Sequence, residues 1–394
     1  MKQLKIKIGI WALAFLTLSP LAITSSFAAV AETFPEAAIA EIQLIASIPY
    51  LSTIIVSFFS GALTTKFSYK TIALIGTVIL GIGGLLPLVF HRSLLELWLG
   101  AGILGIGLGL TTTMMPILTA EYFPKAQRLA MMGKNTAAIA IGKMFFLKIG
   151  GLLGSISWHY SYFVFLIVLP IFAALFFCLP GEPPKAPQTL NAPKVKGNFL
   201  KTVKTFSPQL GIVFLLSFVA SLAMLIYNTN LALVMASRGF EGPATAGFVG
   251  GFGTIGGIVA GLTLKTAKAF FKDKLLSMAF LIVAISFFIL GISTTFAGLF
   301  IGSLAIAVGT AYLFASIPFF ASLLAKPFQM GLAMAFYNSF NALGKLLSPI
   351  LLNGLGGLSG TAAYFFGAAA LLAVGLYLWL ANFAGKAMAS HLST

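Results

Sequence analysis

Long apolar segments constrain the fold of this chain more than any other feature of its sequence. A helix needs about 20 mostly apolar residues to cross a lipid bilayer, and twelve segments of this kind follow one another along the chain. Of the 394 residues 59% are hydrophobic and only 8% are charged, whereas a typical soluble domain carries about 25% charged residues. No soluble core could cover so much apolar surface. The sequence therefore predicts an all-α integral membrane protein.

We number the twelve predicted segments span 1 to span 12. They cover residues 8–30, 39–64, 71–90, 94–118, 128–154, 158–179, 209–235, 244–264, 275–293, 296–320, 329–355 and 361–384. A stretch rich in proline and lysine separates spans 6 and 7, and this composition is typical of a polar linker. The sequence thus predicts an N-terminal six-helix half at residues 1–180, a cytoplasmic linker at 181–208 and a C-terminal six-helix half at 209–394.

Span 1 has a second interpretation, because three lysines precede an apolar run that ends in small residues, as in a signal peptide. The run is about 20 residues long, whereas the apolar region of a signal peptide has about 7–15. We therefore expect span 1 to be retained as a membrane helix.

Basic residues are concentrated in alternate loops. If the N-terminus is cytoplasmic, nineteen Lys and Arg residues lie on the cytoplasmic side and only Arg92 and Arg238 lie outside. The positive-inside rule then predicts a multi-pass protein of the plasma (cytoplasmic) membrane with both termini in the cytoplasm. This distribution accounts for the net charge of +16 without a nucleic-acid partner, because basic loops face an anionic lipid leaflet.

The two halves of the chain repeat one another around spans 5 and 11. Span 5 contains Ala-Ile-Gly-Lys at residues 140–143 and span 11 contains Ala-Leu-Gly-Lys at residues 342–345, so an offset of 202 residues superposes the two Gly–Lys pairs. Parallel six-helix repeats are typical of secondary transporters, whose binding site lies near the bilayer midplane at the repeat interface.

Lys143 and Lys345 are the strongest candidates for a functional site. A charge at the bilayer centre costs roughly 2.5–3.5 kcal/mol on insertion scales, and each lysine lies roughly 15 Å from its helix end at 1.5 Å per residue. Lys148 is closer to the end of span 5 and can extend its ammonium towards the headgroups. All eight acidic residues lie in loops or near span ends, which favours an anionic substrate as the partner of the lysine pair. Hydrogen bonding to backbone and polar side chains, or a gating role, remain alternatives.

Polar residues on the later spans could orient such a ligand. The predicted substrate-binding residues besides the two lysines are Tyr227, Asn228, Tyr312, Asn338 and Asn341. Asn230 on span 7 is a further candidate to orient the ligand. The threonines at 111–113 are weaker candidates, because threonine often bonds its own helix.

Several classes of site are disfavoured by composition. A single cysteine, Cys178, excludes an internal disulfide framework and a Cys-rich metal site. His91, His159 and His391 are far apart in the sequence and near span ends, so we expect solvated loop histidines. The spans contain no Asp pair and no Ser–His pair suited to catalysis. We therefore expect no enzyme activity, no cofactor, no metal and no oligomeric channel, but a monomer.

Three degenerate motifs resemble those of the major facilitator superfamily. The loop after span 2 resembles the family's Gly-x-Leu-x-Asp-Arg-x-Gly-Arg-Lys loop at Gly61, Leu63, Lys66 and Lys70, with Thr65 in place of the aspartate. Span 4 carries alternate glycines at 105–109, and span 5 ends in Gly-Gly before a Trp-His pair at 158–159, similar to the family's Gly-Gly and Trp-Arg. Ala101 replaces an arginine of the proton-driven drug exporters.

The resemblance covers essentially the whole chain and implies a secondary transporter that works by alternating access. It also implies a gating role for the loop at 61–70. The two lysines favour a small anionic organic solute as the substrate. Efflux of drug-like or amphipathic compounds is the alternative, favoured by the 38 phenylalanines. The expected partners are a small-molecule substrate and membrane lipids.

The charge distribution generates a topology prediction. We expect single cysteines beside Lys125, Lys194 and Lys268 to be labelled from the cytoplasmic side, and one beside Arg238 to be labelled from outside, in a background with Cys178 replaced. An impermeant maleimide applied to intact cells should label the cysteine beside Arg238 and leave the other three unlabelled. Labelling of the linker from outside would contradict the predicted orientation.

Overall fold

The computed structural model describes residues 2–63, 67–123, 125–181, 205–240, 242–325 and 330–392. Helices occupy each of the twelve predicted positions. Nine spans consist mainly of one α-helix. In the first half these are span 2 (Ile39–Leu63), span 3 (Tyr69–Leu85), span 4 (Leu94–Tyr122) and span 5 (Lys125–Gly154). In the second half they are span 7 (Pro208–Ala236), span 9 (Leu275–Ile292), span 10 (Phe296–Leu324), span 11 (Met330–Gly354) and span 12 (Gly360–Leu380). Most of the predicted linker, residues 182–204, lies outside the described residues.

The other three spans are interrupted, where the sequence predicts continuous helices. Span 1 consists of Lys2–Leu16, a 3-10 helix Ser19–Ser26 and Phe27–Thr33, and span 6 consists of a 3-10 helix Trp158–Ile167 and an α-helix Val168–Cys178. Span 8 consists of Pro243–Gly253 and Ile255–Phe271. Two of the breaks have a proline at or just after them, Pro20 and Pro170. Proline has no N–H to donate and its ring clashes with the preceding turn, so it disfavours α-helix on its N-terminal side.

Within the described residues, eleven helical segments are long and apolar enough to cross a membrane. They correspond to every predicted span except span 11. Span 11 has sufficient length at 25 residues, but its asparagines and lysine lower its mean hydropathy. The prediction of an all-α membrane fold is thus confirmed, and the weakest span by hydropathy is the one that carries Lys345. Shorter helices at Leu86–Leu88, Lys272–Lys274 and Phe383–Leu392 complete the described structure.

Hydrogen bonds from side chains define where several spans begin. Ser93 and Glu96 form a reciprocal capping box at the start of span 4. Ser68 accepts a bond from the backbone N–H of Thr71 at the start of span 3, and Thr295 accepts one from Gly298 at the start of span 10. These caps satisfy amide groups that a helix start leaves without intrahelical partners.

The described chain divides into two compact units. Unit 1 comprises Met1–Ala186, Asn228–Thr254 and Pro349–Gly360, and unit 2 comprises Pro187–Tyr227, Ile255–Ser348 and Thr361–Thr394. The unit boundaries fall inside spans 7, 8 and 11, so unit 1 combines the first six spans with segments of the second half that pack on them. The domain boundaries at residues 180 and 209 stay a prediction.

In unit 1, the glycine-rich part of span 4 is a packing surface. A Cβ added to Gly105 would overlap the carbonyl oxygen of Pro49 in span 2, and one added to Gly107 would overlap the backbone of Leu80 in span 3. Glycine therefore lets span 4 approach two neighbouring helices at backbone distance, as small residues do between membrane helices.

The glycines of the two Gly–Lys pairs pack in the same way in the two halves of the chain. A Cβ on Gly142 would overlap the carbonyl oxygen of Phe15 in span 1, and a Cβ on Gly344 would overlap that of Phe218 in span 7. In each half, the fifth helix is thus fixed against the backbone of the first helix at the residue before the lysine. The internal repeat predicted from the sequence is present in the contacts.

Two histidines that lie far apart in the sequence lie side by side in the structure, and both are half-buried. The rings of His91 and His159 stack with centroids 4.4 Å apart, and Trp158 meets His91 edge-on at 5.9 Å. The short helix Leu86–Leu88 after span 3 packs against the 3-10 helix that begins span 6. This contact brings together two loops that are distant in sequence.

The matched glycine contacts generate a stability prediction. We expect Gly142→Ala and Gly344→Ala each to destabilise the protein by about 1–3 kcal/mol, because a methyl group cannot fit against a carbonyl oxygen. Gly211→Ala in span 7 is the control: no atom lies within 4 Å of its Cβ position, and alanine gains about 1 kcal/mol in helix propensity. Thermal unfolding of the purified protein measures all three. Equal melting temperatures for the three variants would contradict the packing.

Candidate functional site

Lys143 and Lys345 hold equivalent positions on spans 5 and 11. Both side chains are half-buried, and each follows the glycine that fixes its helix against the first helix of the same half. The backbone that carries each ammonium is therefore held rigidly. Phe145 and Phe146 come shortly after Lys143, and their ring centroids lie 5.3 Å and 5.6 Å from the ring centroid of Phe15.

Span 11 carries a polar stripe along one face. Asn338, Asn341, Lys345 and Ser348 occupy positions i, i+3, i+7 and i+10 of the helix, which lie above one another on an α-helix. Asn338 is exposed, Asn341 and Lys345 are half-buried and Ser348 is buried. Three of the predicted substrate-binding residues therefore share one helix face in unit 2.

The structure places the other predicted binding residues on spans 7 and 10. Tyr227 and Asn228 are buried in span 7, and the carbonyl oxygen of Tyr227 accepts a hydrogen bond of 3.1 Å from the hydroxyl of Tyr364. Tyr312, on span 10, is buried, and its hydroxyl lies 3.1 Å from that of Thr263 on span 8. Tyr227 and Tyr312 thus take part in contacts between helices.

The residues of the predicted gating loop are only partly described. Gly61 and Leu63 lie in the last turn of the span 2 helix, whereas Lys66 lies outside the described residues. Lys70 lies in the first turn of span 3, and its ammonium is 4.6 Å from the ring centroid of Phe176 in span 6. A cation over an aromatic face is attracted by the ring quadrupole, so Lys70 connects this loop to span 6.

Lys148 also contacts an aromatic ring. Its ammonium lies 4.5 Å from the ring centroid of Phe252 in span 8. The hydroxyls of Thr111, Thr112 and Thr113 bond carbonyls of their own helix, as the sequence analysis expects for threonine.

Spans 5 and 8 approach each other closely within unit 1. A Cβ on Gly151 would lie 2.9 Å from the Cα of Gly247, and a Cβ on Gly247 would overlap the carbonyl oxygen of Leu147. We call this contact of Gly151 with Gly247 the glycine seam. It joins a helix of the first half to a helix of the second half at backbone distance.

A buried polar cluster that the sequence analysis missed lies in the same unit. The amide oxygen of Asn230 accepts hydrogen bonds from Gln43 Nε2 at 3.1 Å and from the backbone N–H of Gly360 at 2.7 Å. Gln43 and Asn230 are almost fully buried. The cluster connects span 2, span 7 and the start of span 12. The only sequence signal was the presence of polar amides inside apolar spans, since their pairing over 187 residues leaves no local pattern.

Two carboxylates near the membrane spans serve as helix caps. Glu41 Oε2 accepts a bond of 2.9 Å from the backbone N–H of Ala38, and Glu96 Oε2 accepts bonds from the N–H groups of Arg92 and Ser93. Among the described residues no three His, Cys, Asp or Glu side chains are grouped so that they could hold a metal ion.

The sequence profile of the Major Facilitator Superfamily matches residues 8–270, which is well over half of the chain. This chain belongs to the Major Facilitator Superfamily. It is therefore a multi-pass membrane transporter and not an enzyme, and its two six-helix halves follow the architecture of that family.

Solved transporter structures share the fold. The nucleoside transporter NupG matches with a TM-score of 0.73 at 14% identity over 97% of this chain and 99% of its own. The xylose transporter XylE from E. coli matches with a TM-score of 0.73 at 17% identity over 96% of this chain and 95% of its own. A bacterial homolog of the human lysosomal transporter Spinster matches with a TM-score of 0.67 at 15% identity over 100% and 98%. At these identities the likeness concerns the fold.

The buried amide cluster generates a prediction on stability. Asn230→Leu removes the acceptor of two hydrogen bonds, and we expect it to destabilise the protein by about 1–3 kcal/mol, the usual cost of buried donors left without partners. Gln43→Leu should destabilise it as well. The double variant should lose less than the sum of the two, because it removes both side-chain partners. Thermal unfolding is the measurement, with Asn338→Ala at an exposed position as the control. Strictly additive losses would contradict the contact.

Proposed function

We propose that this transporter carries a small anionic organic solute and that Lys143 and Lys345 bind it. The observation that carries the proposal is the matched position of the two lysines, each placed by a glycine packed against the first helix of its half. A cation inside a membrane span marks a substrate or ion pathway more often than a structural position. Two cations repeated at the same place favour a substrate of the opposite charge.

The surroundings of Lys345 support this assignment. Asn338 and Asn341 share its helix face, and amide groups can donate hydrogen bonds to a carboxylate or phosphate as well as accept bonds from hydroxyl groups. Tyr227, Asn228 and Tyr312 are proposed as further substrate-binding residues from neighbouring spans. Charged hydrogen bonds of this kind contribute about 1.5–3 kcal/mol each.

The proposed mechanism is alternating access, in which the two halves of the chain expose the bound solute to one side of the membrane and then to the other. The glycine seam supports such a mechanism, since small residues let a helix of each half approach the other at backbone distance. The loop at Gly61, Leu63, Lys66 and Lys70 is proposed as the gate on its side of the membrane. We further propose that the protein acts as a monomer in the plasma membrane with both termini in the cytoplasm, as the distribution of basic residues indicates.

The two lysines provide the test of this function. We expect Lys143→Gln and Lys345→Gln each to lower the affinity for anionic solutes by roughly tenfold to a hundredfold, the loss expected for one charged hydrogen bond. Arginine at either position should retain part of the affinity because it keeps the charge. Uptake of a panel of organic anions into proteoliposomes, with ligand-dependent thermal stabilisation of the purified protein, measures both effects.

Lys386→Gln is the matched control, because Lys386 is exposed on the C-terminal helix Phe383–Leu392 and the variant removes the same charge. Efflux of drug-like compounds predicts a different outcome, namely transport of hydrophobic cations that the two glutamine variants leave unchanged. Unchanged anion affinity in both glutamine variants would exclude the lysines as the binding residues.

A further inference from the structure

An open apolar groove lies on unit 1, between spans 1, 5 and 6. Its volume is about 510 Å³, within the range of about 300–1,000 Å³ that holds small molecules in proteins. Ile8, Trp11 and Phe15 line it from span 1, Ala137 and Ile141 from span 5, and Ile171 from span 6. The small side chain of Ala137 leaves the space that a larger residue would fill.

One cation, Lys134, lies among the lining residues of this groove. Lys134 is exposed, and it shares a helix face with Ala137 and Ile141 because they follow it by three and seven residues. Lys143 lies two residues after Ile141, about 200° around the helix at 3.6 residues per turn. The groove is therefore separate from the proposed substrate site.

The charge lies at one end of the groove. Lys134 is the first of the span 5 residues that line it, and Ile141 lies about 10 Å farther along at 1.5 Å per residue. Along span 1, the lining begins at Ile8, and Lys5 lies three residues before it on the same helix face. An apolar channel with basic residues beside one end is complementary to an amphiphile with an apolar chain and an anionic head.

We propose that this groove binds one acyl chain of an anionic membrane phospholipid, whose headgroup phosphate pairs with Lys134. A chain that crosses the membrane meets phospholipid on every outward apolar face, so the occupant is present at high concentration. The apolar lining accepts the chain of any phospholipid. The lysine adds a preference for a negative headgroup, because a lysine near an anionic lipid surface gains about a fivefold affinity, equivalent to about 1 kcal/mol.

Two variants separate the roles of charge and groove. Lys134→Gln removes the cation at an exposed position, and Ala137→Phe fills the groove at a position that is also exposed, so both should fold. The controls are Lys386→Gln, which removes an exposed lysine elsewhere, and Ala369→Phe, which adds the same ring to an exposed alanine of span 12.

The experiment measures lipid retention by native mass spectrometry of delipidated protein titrated with phosphatidylglycerol or phosphatidylcholine. The wild type should retain one phosphatidylglycerol about fivefold more tightly than phosphatidylcholine. Lys134→Gln should abolish this preference, Ala137→Phe should lower retention of both lipids, and the controls should behave like the wild type.

Equal retention of the two lipids by the wild type would overturn the proposal and indicate only ordinary annular lipid. Loss of binding in Lys134→Gln with full retention in Ala137→Phe would overturn it as well, since the chain would then lie elsewhere. Competition by a short soluble organic anion or by inorganic phosphate would also overturn it, and would assign Lys134 to a solute pathway. None of these measurements requires transport, so they stand whether or not the proposed substrate is correct.

Discussion

Close contact between backbones at glycine is the interaction on which the rest of this structure depends. Lipid is as apolar as the helices that cross it, so burial of apolar surface contributes little to helix association and van der Waals packing must replace it. In unit 1, glycines let span 4 meet spans 2 and 3, span 5 meet span 1, and span 5 meet span 8 at backbone distance. Each of these contacts would be lost on addition of a single methyl group.

The same contacts determine where polar groups can be placed. Because Gly142 and Gly344 fix their helices against spans 1 and 7, the residues that follow them have a defined direction, and in both halves the next residue is lysine. The glycine is thus a positioning element for the charge beside it.

Much of the fold could be predicted from the sequence, because membrane spans are defined by a local property. About 20 apolar residues in a row suffice to identify a crossing, and all twelve positions carry helices in the structure. Hydropathy does not predict the interruptions of spans 1, 6 and 8, because it is insensitive to whether an apolar segment is one continuous α-helix. The repeat of the Gly–Lys pairs was visible as sequence similarity, and the glycine contacts confirm it.

The polar contacts between distant segments could not be predicted. Gln43 and Asn230 meet because three spans pack together, and His91 and His159 stack because two loops do. A single sequence carries no record of such pairings. The substrate-binding residues proposed from the sequence share this difficulty: the stripe of Asn338, Asn341 and Lys345 follows from helical spacing, whereas the relation of Tyr227 and Tyr312 to a solute depends on tertiary structure.

The carboxylates of Glu41 and Glu96 have a consequence for energy coupling. Glu41 accepts one backbone N–H and Glu96 accepts two at the start of a helix, and a protonated carboxyl accepts such bonds poorly because part of its acceptor capacity becomes a donor. A proton relay through either residue would therefore loosen a helix start in every cycle, at about 1 kcal/mol for a lost cap. Neither carboxylate could therefore act in energy coupling without the loss of a helix cap.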